Sequence, residues 1–400
     1  MSAPAGIDLV EVRLEERLRA NERFFAAEAD RIARLCHRMA ERFARGGRLI
    51  ALGGDGADRS DVRHVTVEFV HPVIVGKRAL PALGLSAEGG ALAAQAELVA
   101  EADDIAIAFG VGAEVAAAVA ACAARGALTI AFADVGAEWR FDVASEDPFV
   151  GQEIVETTYH VLWELGHVFL DQRGLLEGRR GGTVHDAGAS SFLYPFLAER
   201  QDDLESVVAD VRASVGMKAA EVGALRVQTL GDGRETLLAA AAELRAAFAR
   251  GGRLLALGNG GSATDAMDVV ADFRAPPPAT GWPARPALDL TEDSAILTAV
   301  ANDVGVEAMF SRQVIAHGRP GDVVLAISTS GGSANVILAL EEARRRGLRT
   351  IALVGYDGGR ILAEGLADHV VVSRSEHIPR IQEAQASAYH VLRELVEAAS

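Results

Sequence analysis

The chain is short of cysteine, aromatic residues, basic charge and long apolar runs, and each shortage removes a class of protein. Only Cys36 and Cys122 occur in 400 residues, far apart and without the spacing of metal ligands. A disulfide framework is therefore excluded, and a reducing cytoplasm is the expected location. Aromatics make up 5% of the residues while half of the chain is apolar, so its cores should be packed from small aliphatic side chains. Lys and Arg number 39 against 56 Asp and Glu, a net charge of −17. Nucleic-acid grooves need a basic stripe, which this balance argues against, whereas backbone N–H groups hold a small anion at any net charge. No stretch reaches the roughly 18 uninterrupted apolar residues of a spanning helix. The opening MSAPAGIDLVEVRLEERL has no apolar leader core either, so no membrane partner is expected.

What the chain does contain is a repeat. Phe43–Gly56 reads FARGGRLIALGGDG and Phe248–Gly261 reads FARGGRLLALGNGG, 205 residues later. LPALGLS from Leu80 answers RPALDLT from Arg285. QEIVETTYHVLWEL (Gln152–Leu165) answers QEAQASAYHVLREL (Gln382–Leu395), now at an offset of 230, so the second half carries 25 extra residues. Two copies of one domain suit this length, because single cores stop growing near about 250–300 residues. Each copy begins with long helical stretches, Glu11–Ala44 in the first and Asp202–Val222 with Glu235–Ala249 in the second. Short apolar strands follow (RLIALG and RLLALG, then Asp104–Phe109 and Asp322–Ile327, then Leu128–Ala133 and Arg349–Val354), separated by glycine turns and alanine-rich helices. Strands apolar throughout and alternating with helices predict an α/β fold with a parallel sheet flanked by helices, a three-layer, flavodoxin-like arrangement. Domains are expected at 1–172 and 198–400, joined by a Gly/Ser-rich linker over 173–197.

The second copy has two loops suited to a phosphate. Gly258-Asn259-Gly260-Gly261-Ser262 follows one strand, and Ser328-Thr329-Ser330-Gly331-Gly332-Ser333 follows the next major one. Glycines let backbone approach an anion, hydroxyls donate to it, and a helix N-terminus adds N–H groups and a positive dipole end. In an open parallel sheet both loops fall at the carboxyl ends of the strands, where ligands sit. The first copy has Gly53-Gly54-Asp55-Gly56-Ala57 and Gly110-Val111-Gly112-Ala113 instead. Its hydroxyls are gone and Asp55 would repel an anion, so this copy should hold no phosphate.

These residues resemble the sugar isomerase (SIS) domain, and more narrowly the sedoheptulose-7-phosphate isomerase (phosphoheptose isomerase) family. The resemblance is carried by GNGGSATDAMDVVADF (Gly258–Phe273), LTEDSAILTAVAND (Leu290–Asp303), AISTSGGSANV (Ala326–Val336) and PRIQEAQASAYHVLRELVE (Pro379–Glu397), nearly all of 235–397. It implies two tandem SIS domains and an aldose–ketose isomerase acting through an enediol, with a glutamate and a histidine moving protons. It also implies a divalent metal, zinc by its His and carboxylate donors, held by a His and a Glu four apart on one helix with a Gln and a His eight apart on the last. In the second copy the His and Glu positions are Asp268 and Asp272, while Gln382 and His390 match. In the first copy His64, Glu68, Gln152 and His160 fill all four positions. An Arg usual in the family four residues beyond the glutamate is Pro72 here, and Pro276 in the second copy.

Ser262 and Asp272 are ten residues apart, about 15 Å along a helix. Phosphorus and C2 of an extended heptose phosphate are only roughly 8–9 Å apart, counted from bonds near 1.5 Å. One copy's cradle should thus work with the other copy's acid–base cluster. The expected phosphate and sugar contacts are Asn259, Gly260, Gly261, Ser262, Asp293, Asn302, Asp303, Ser328, Thr329, Ser330, Ser333, Gln382 and His390. Glu68 is expected as base and His160 as acid, with His64, Glu68, Gln152 and His160 as the metal set. The substrate is then a small sugar phosphate, and the expected assembly is a homodimer presenting four SIS domains. The competing expectations are a non-catalytic SIS protein that senses sugar phosphates, or an isomerase of a hexose or amino-sugar phosphate.

Overall fold

The computed structural model describes residues 8–54, 56–73, 77–171, 176 and 203–398. The proposed linker and Asp55 lie outside the described residues, Leu176 apart. Contacts divide the chain into two compact units. One is drawn from Ala20–Asp147 and Ile154–Ala220, here the N-terminal unit; the other from Met1–Arg19, Pro148–Glu153 and Glu221–Ser400, the C-terminal unit. The division does not follow the two sequence copies. The start of the chain and six residues of the first copy's closing helix pack with the second copy.

The chain enters through α1 (Leu9–Arg45), a helix of 37 residues. Asp8 accepts the Val10 N–H at its start, and Arg42 and Arg45 sit in the last turn, where the dipole favours cations. Ile32, Leu35, Cys36, Met39 and Phe43 recur at three- and four-residue steps and are all buried. In the N-terminal unit β1 (Leu49–Leu52), α2 (Ala57–Val70), β2 (Ala82–Leu85), α3 (Leu92–Val99), β3 (Ile105–Ala108), α4 (Ala113–Ala124), β4 (Leu128–Ala131) and β5 (Trp139–Arg140) follow. The sheet order is β2-β1-β3-β4-β5 and every pairing is parallel. β1, β3 and β4 are buried along their whole length, as strands covered on both faces must be. α5 (Pro148–Asp171) closes the copy.

The second copy repeats the plan. α6 (Leu204–Asp232) and α7 (Arg234–Ala249) lead into β6 (Leu254–Leu257), α8 (Gly261–Arg274), β7 (Ala287–Asp289), α9 (Ser294–Asp303) and α10 (Met309–His317). β8 (Val323–Ser328), α11 (Ala334–Arg345), β9 (Arg349–Gly355), α12 (Gly359–Ala363), β10 (His369–Ser373) and α13 (Ile378–Glu397) complete it. This sheet is also all parallel, in the order β10-β9-β8-β6-β7, the same succession as in the first copy. Aliphatic cores lie on both of its faces, one around Leu254, Leu325 and Leu353, the other around Leu255, Val324 and Ala352. Successive strand residues point to opposite faces, which is how adjacent positions feed two separate cores. Among the described residues no helix is long and apolar enough to cross a membrane.

Candidate functional site

In the C-terminal unit the two serine loops leave the carboxyl ends of β6 and β8, which are neighbours in the sheet. Ser262 opens α8 and is buried, as is Ser328 at the end of β8. The Ser328 hydroxyl accepts the Gly331 N–H at 3.2 Å, and Ser330 accepts that of Gly332 at 3.2 Å. Gly331 is held at φ 58°, and a β-carbon there would fall 2.3 Å from the Gly358 carbonyl oxygen, so only glycine fits. Ser333 stands at the N-cap of α11 in an extended conformation, but its hydroxyl caps no helix N–H. The loops are tied by a reciprocal amide pair, Asn259 to Asn335 at 2.9 Å and back at 2.8 Å. Asn335 belongs to the family-like ANV segment yet was absent from the expected contacts. Thr329 is partly buried between these serines, and Gly260 and Gly261 form the turn into α8.

The remaining expected sugar contacts have local roles. Asp293 caps α9, accepting N–H groups of Ala295 at 2.9 Å and Ile296 at 3.0 Å. Asn302 donates to Asp303 at 2.7 Å at the other end of the same helix. All three are exposed. Gln382 is buried on α13.

The second copy's altered positions have become part of a buried charge network. His390 is completely buried, with Nδ1 2.9 Å from Glu153 and Nε2 3.4 Å from Asp268 and 3.6 Å from Asp272. Phe149 stacks on its ring at 4.6 Å between centroids. Burial opposes charging of His390, but Asp268, Glu153 and Asp272 outweigh it and raise its pKa to about 10. Glu153 is likewise penalised by burial, yet Arg17, His390 and Arg226 bring it down to about 2. Arg17 donates to Glu153 at 2.9 Å, and Ser387 reaches its other oxygen at 2.5 Å while accepting from Arg226 at 2.9 Å. Asp268 also takes the Tyr389 hydroxyl at 2.8 Å and the Gln152 amide at 2.9 Å. Asp272 is pushed well above the usual carboxylate range by burial and by neighbouring Asp268.

Gln152 belongs to the C-terminal unit and donates to Asp268, whereas the expected metal set also included His64, Glu68 and His160. Those three belong to the N-terminal unit, where a different carboxylate joins the histidines. His64 and His160 face each other, Nε2 to Nε2, at 3.4 Å, and His64 Nδ1 is 4.0 Å from Glu156. One donor atom from each of His64, Glu156 and His160 lies within 4.8 Å of the others, and all three residues are buried. Glu68, one turn beyond His64 on α2, is 1% exposed. Burial, and secondarily the His160 imidazole beside it, drive the His64 pKa well below its ordinary value, so His64 is neutral at physiological pH. Two neutral-capable imidazoles and a carboxylate are the donor set of a zinc-like ion, so these residues fit such an ion without Gln152. Glu156 lies four residues before His160, hence on one face of α5, a spacing visible in the sequence. Its counterpart at an offset of 230 is Ala386, which is why the repeat did not single it out.

The SIS domain family model matches residues 219–355. The chain is 46% identical to the phosphoheptose isomerase of Chlorobium phaeobacteroides over 173 residues, which is 42% of this chain and 76% of that protein. It is 48% identical to that of Citrifermentans bemidjiense over 155 residues, 38% of this chain and 77% of the relative. Among solved structures it is similar along its whole length to tagatose-6-phosphate ketose/aldose isomerase from Escherichia coli (16% identity, TM-score 0.53, 100% of this chain and 94% of that one). The C-terminal domain of glucosamine-fructose-6-phosphate aminotransferase from Francisella tularensis is similar in fold (10% identity, TM-score 0.57, 99% of this chain and 97% of that one).

Proposed function

Because the chain belongs to the phosphoheptose isomerase family, we propose that it interconverts sedoheptulose 7-phosphate and D-glycero-D-manno-heptose 7-phosphate. It is a sugar-phosphate isomerase. The observation that carries the reading is the pair of serine loops on neighbouring parallel strands, Ser262 after β6 and Ser328 after β8. Ser262, Ser328, Thr329, Ser330 and Ser333 bind and orient the phosphate, helped by the backbone N–H groups at the starts of α8 and α11. Asn259 and Asn335 hold the two loops in register. The aldose–ketose exchange takes a proton from one carbon beside the carbonyl and returns it to the next, while the hydroxyl and carbonyl oxygens exchange a second proton. Glu68, buried on α2 one turn beyond His64, is assigned the carbon-bound proton. His160 is assigned the proton moving between the oxygens. A divalent ion held by His64, Glu156 and His160 would polarise the substrate oxygens when bound.

Turnover of sedoheptulose 7-phosphate tests this. Glu68→Gln is expected to lower kcat at least about 100-fold, the usual contribution of a positioned acid or base. Activity that survives Glu68→Gln and disappears in Asp272→Asn would move the chemistry to the second copy. The metal set is checked by elemental analysis of the purified protein, with Glu156→Gln expected to lose the ion and Gln152→Ala to keep it.

A further inference from the structure

In the N-terminal unit the place corresponding to the phosphate cradle contains a side chain of the protein itself. Two geometric relations carry the correspondence, the approach of each strand-end glycine to the following helix and the register of the strands. A β-carbon at Gly53 would fall 2.8 Å from the Asp58 carbonyl oxygen, and one at Gly258 would fall 2.2 Å from that of Ser262. Asp58 therefore holds in the first copy the position of Ser262, with the one additional turn residue between. Strand register aligns the other loop: Leu49 pairs with Ile105 as Leu254 pairs with Val323. Counting five residues on from each, Gly110 corresponds to Ser328.

Both cradle serines have thus been replaced, by an aspartate and by a glycine, and the replacements are matched in shape. A β-carbon at Gly110 would fall 1.9 Å from Asp58 Oδ2 and 2.5 Å from its Cγ. At Gly54, in the other loop, it would fall 3.5 Å from the same oxygen. The carboxylate lies between the loops after β1 and β3, over the one position that must lack a side chain to admit it. Gly110 is at φ 83°, where glycine is favoured on backbone grounds as well. Asp58 is also in the first turn of α2, where the helix dipole favours an anion.

We propose that the first copy's cradle is self-liganded: the Asp58 carboxylate occupies the site that a phosphate occupies in the second copy. This rests on reading the Ser262 and Ser328 loops as a phosphate site. A covalently attached anion holds the two loops as a bound ligand would, at an effective concentration that free phosphate does not match. It also keeps the loops ordered at the start of the helix that carries His64 and Glu68, whether or not substrate is present.

The test is equilibrium dialysis of the full-length protein against inorganic phosphate, with thermal melting alongside. Wild type is expected to take one phosphate per chain, lost in Ser328→Ala, and Asp58→Gly to take a second. Phosphate should then raise the Tm of Asp58→Gly more than that of wild type. Where Asp58→Gly does not fold, Asp58→Ser, which restores the hydroxyl of the second copy, is read in the same way. Asp58→Asn, of equal size and no charge, is expected to melt below wild type in phosphate-free buffer. The second equivalent decides: if neither Asp58→Gly nor Asp58→Ser gains one, the proposal is overturned. If wild type takes none and Asp58→Gly takes one, the self-liganded site stands and the reading of the serine loops falls.

Discussion

Two buried histidines, one in each copy, have opposite electrostatics. His390 is surrounded by Glu153, Asp268 and Asp272 and is held as a cation, whereas His64 beside His160 is held neutral. Removing one partner of a buried ion pair leaves the other uncompensated and costs about 3–5 kcal/mol. Glu153→Gln should therefore lower the urea midpoint of unfolding substantially. The effect is pH-dependent, and its sign follows from the shifts. His390 has its folded pKa raised from 6.5 to about 10, so its contribution is complete below pH 6.5 and is lost as pH rises through about 10. Glu153 is lowered from 4.5 to about 2, so its contribution is complete above pH 4.5 and is lost as pH falls through about 2. Asp272, raised by burial and Asp268, shares the sign of His390. The stability difference between wild type and Glu153→Gln should be largest between pH 4.5 and 6.5 and shrink by pH 9, as urea titrations at each pH would show. For the cradle, Ser328→Ala should raise KM with a smaller change in kcat, since phosphate binding supports ground and transition states alike.

Among the elements, the paired serine loops are tightly fitted at Gly331. Gly331→Ala sets a β-carbon against the Gly358 carbonyl in a backbone conformation alanine rarely adopts. It is expected to weaken phosphate binding about 10-fold or more while leaving far-ultraviolet circular dichroism unchanged, because an arm of the cradle moves and the sheet does not. The interior strands β1, β3, β4, β6, β8 and β9 were legible as apolar runs, because strands buried on both faces need apolar residues at every position. The outer strands β2, β5, β7 and β10 were not. They are short or only partly buried, and Trp139–Arg140 or Ala287–Asp289 carries too few residues to show a period. The six-residue share of α5 taken by the C-terminal unit was equally hidden, because a helix reads as one periodic stretch whatever packs on its successive turns.

The molecule as a whole is two matching folds whose compact units are not the two halves of the sequence. The C-terminal unit is completed by residues from the beginning and middle of the chain. Arg17 and Glu153 enter its buried network, and Arg13 pairs with Glu394 at 2.7 Å. A chain cut to residues 203–398 would leave His390, Arg226 and Glu394 without those partners. It is expected to melt well below the full-length protein, or to be insoluble, in a direct comparison by calorimetry. Retention of the full-length Tm would show that the exchanged segments contribute nothing to that unit.

The amino-acid order was sufficient for the two parallel sheets, and it displays the internal repeat and the serine loops of the second copy, because repeats, apolar periodicity and glycine–serine loops are local signals along the chain. It did not place Gln152 on Asp268, bring Glu156 to His64 and His160, or set Glu153 against His390. Nor did it reveal that the Asp58 carboxylate lies against Gly54 and Gly110, between the loops after β1 and β3. Those outcomes depend on which turn of a helix faces which neighbour and on whether a missing β-carbon leaves room for a carboxylate, and packing in three dimensions settles both.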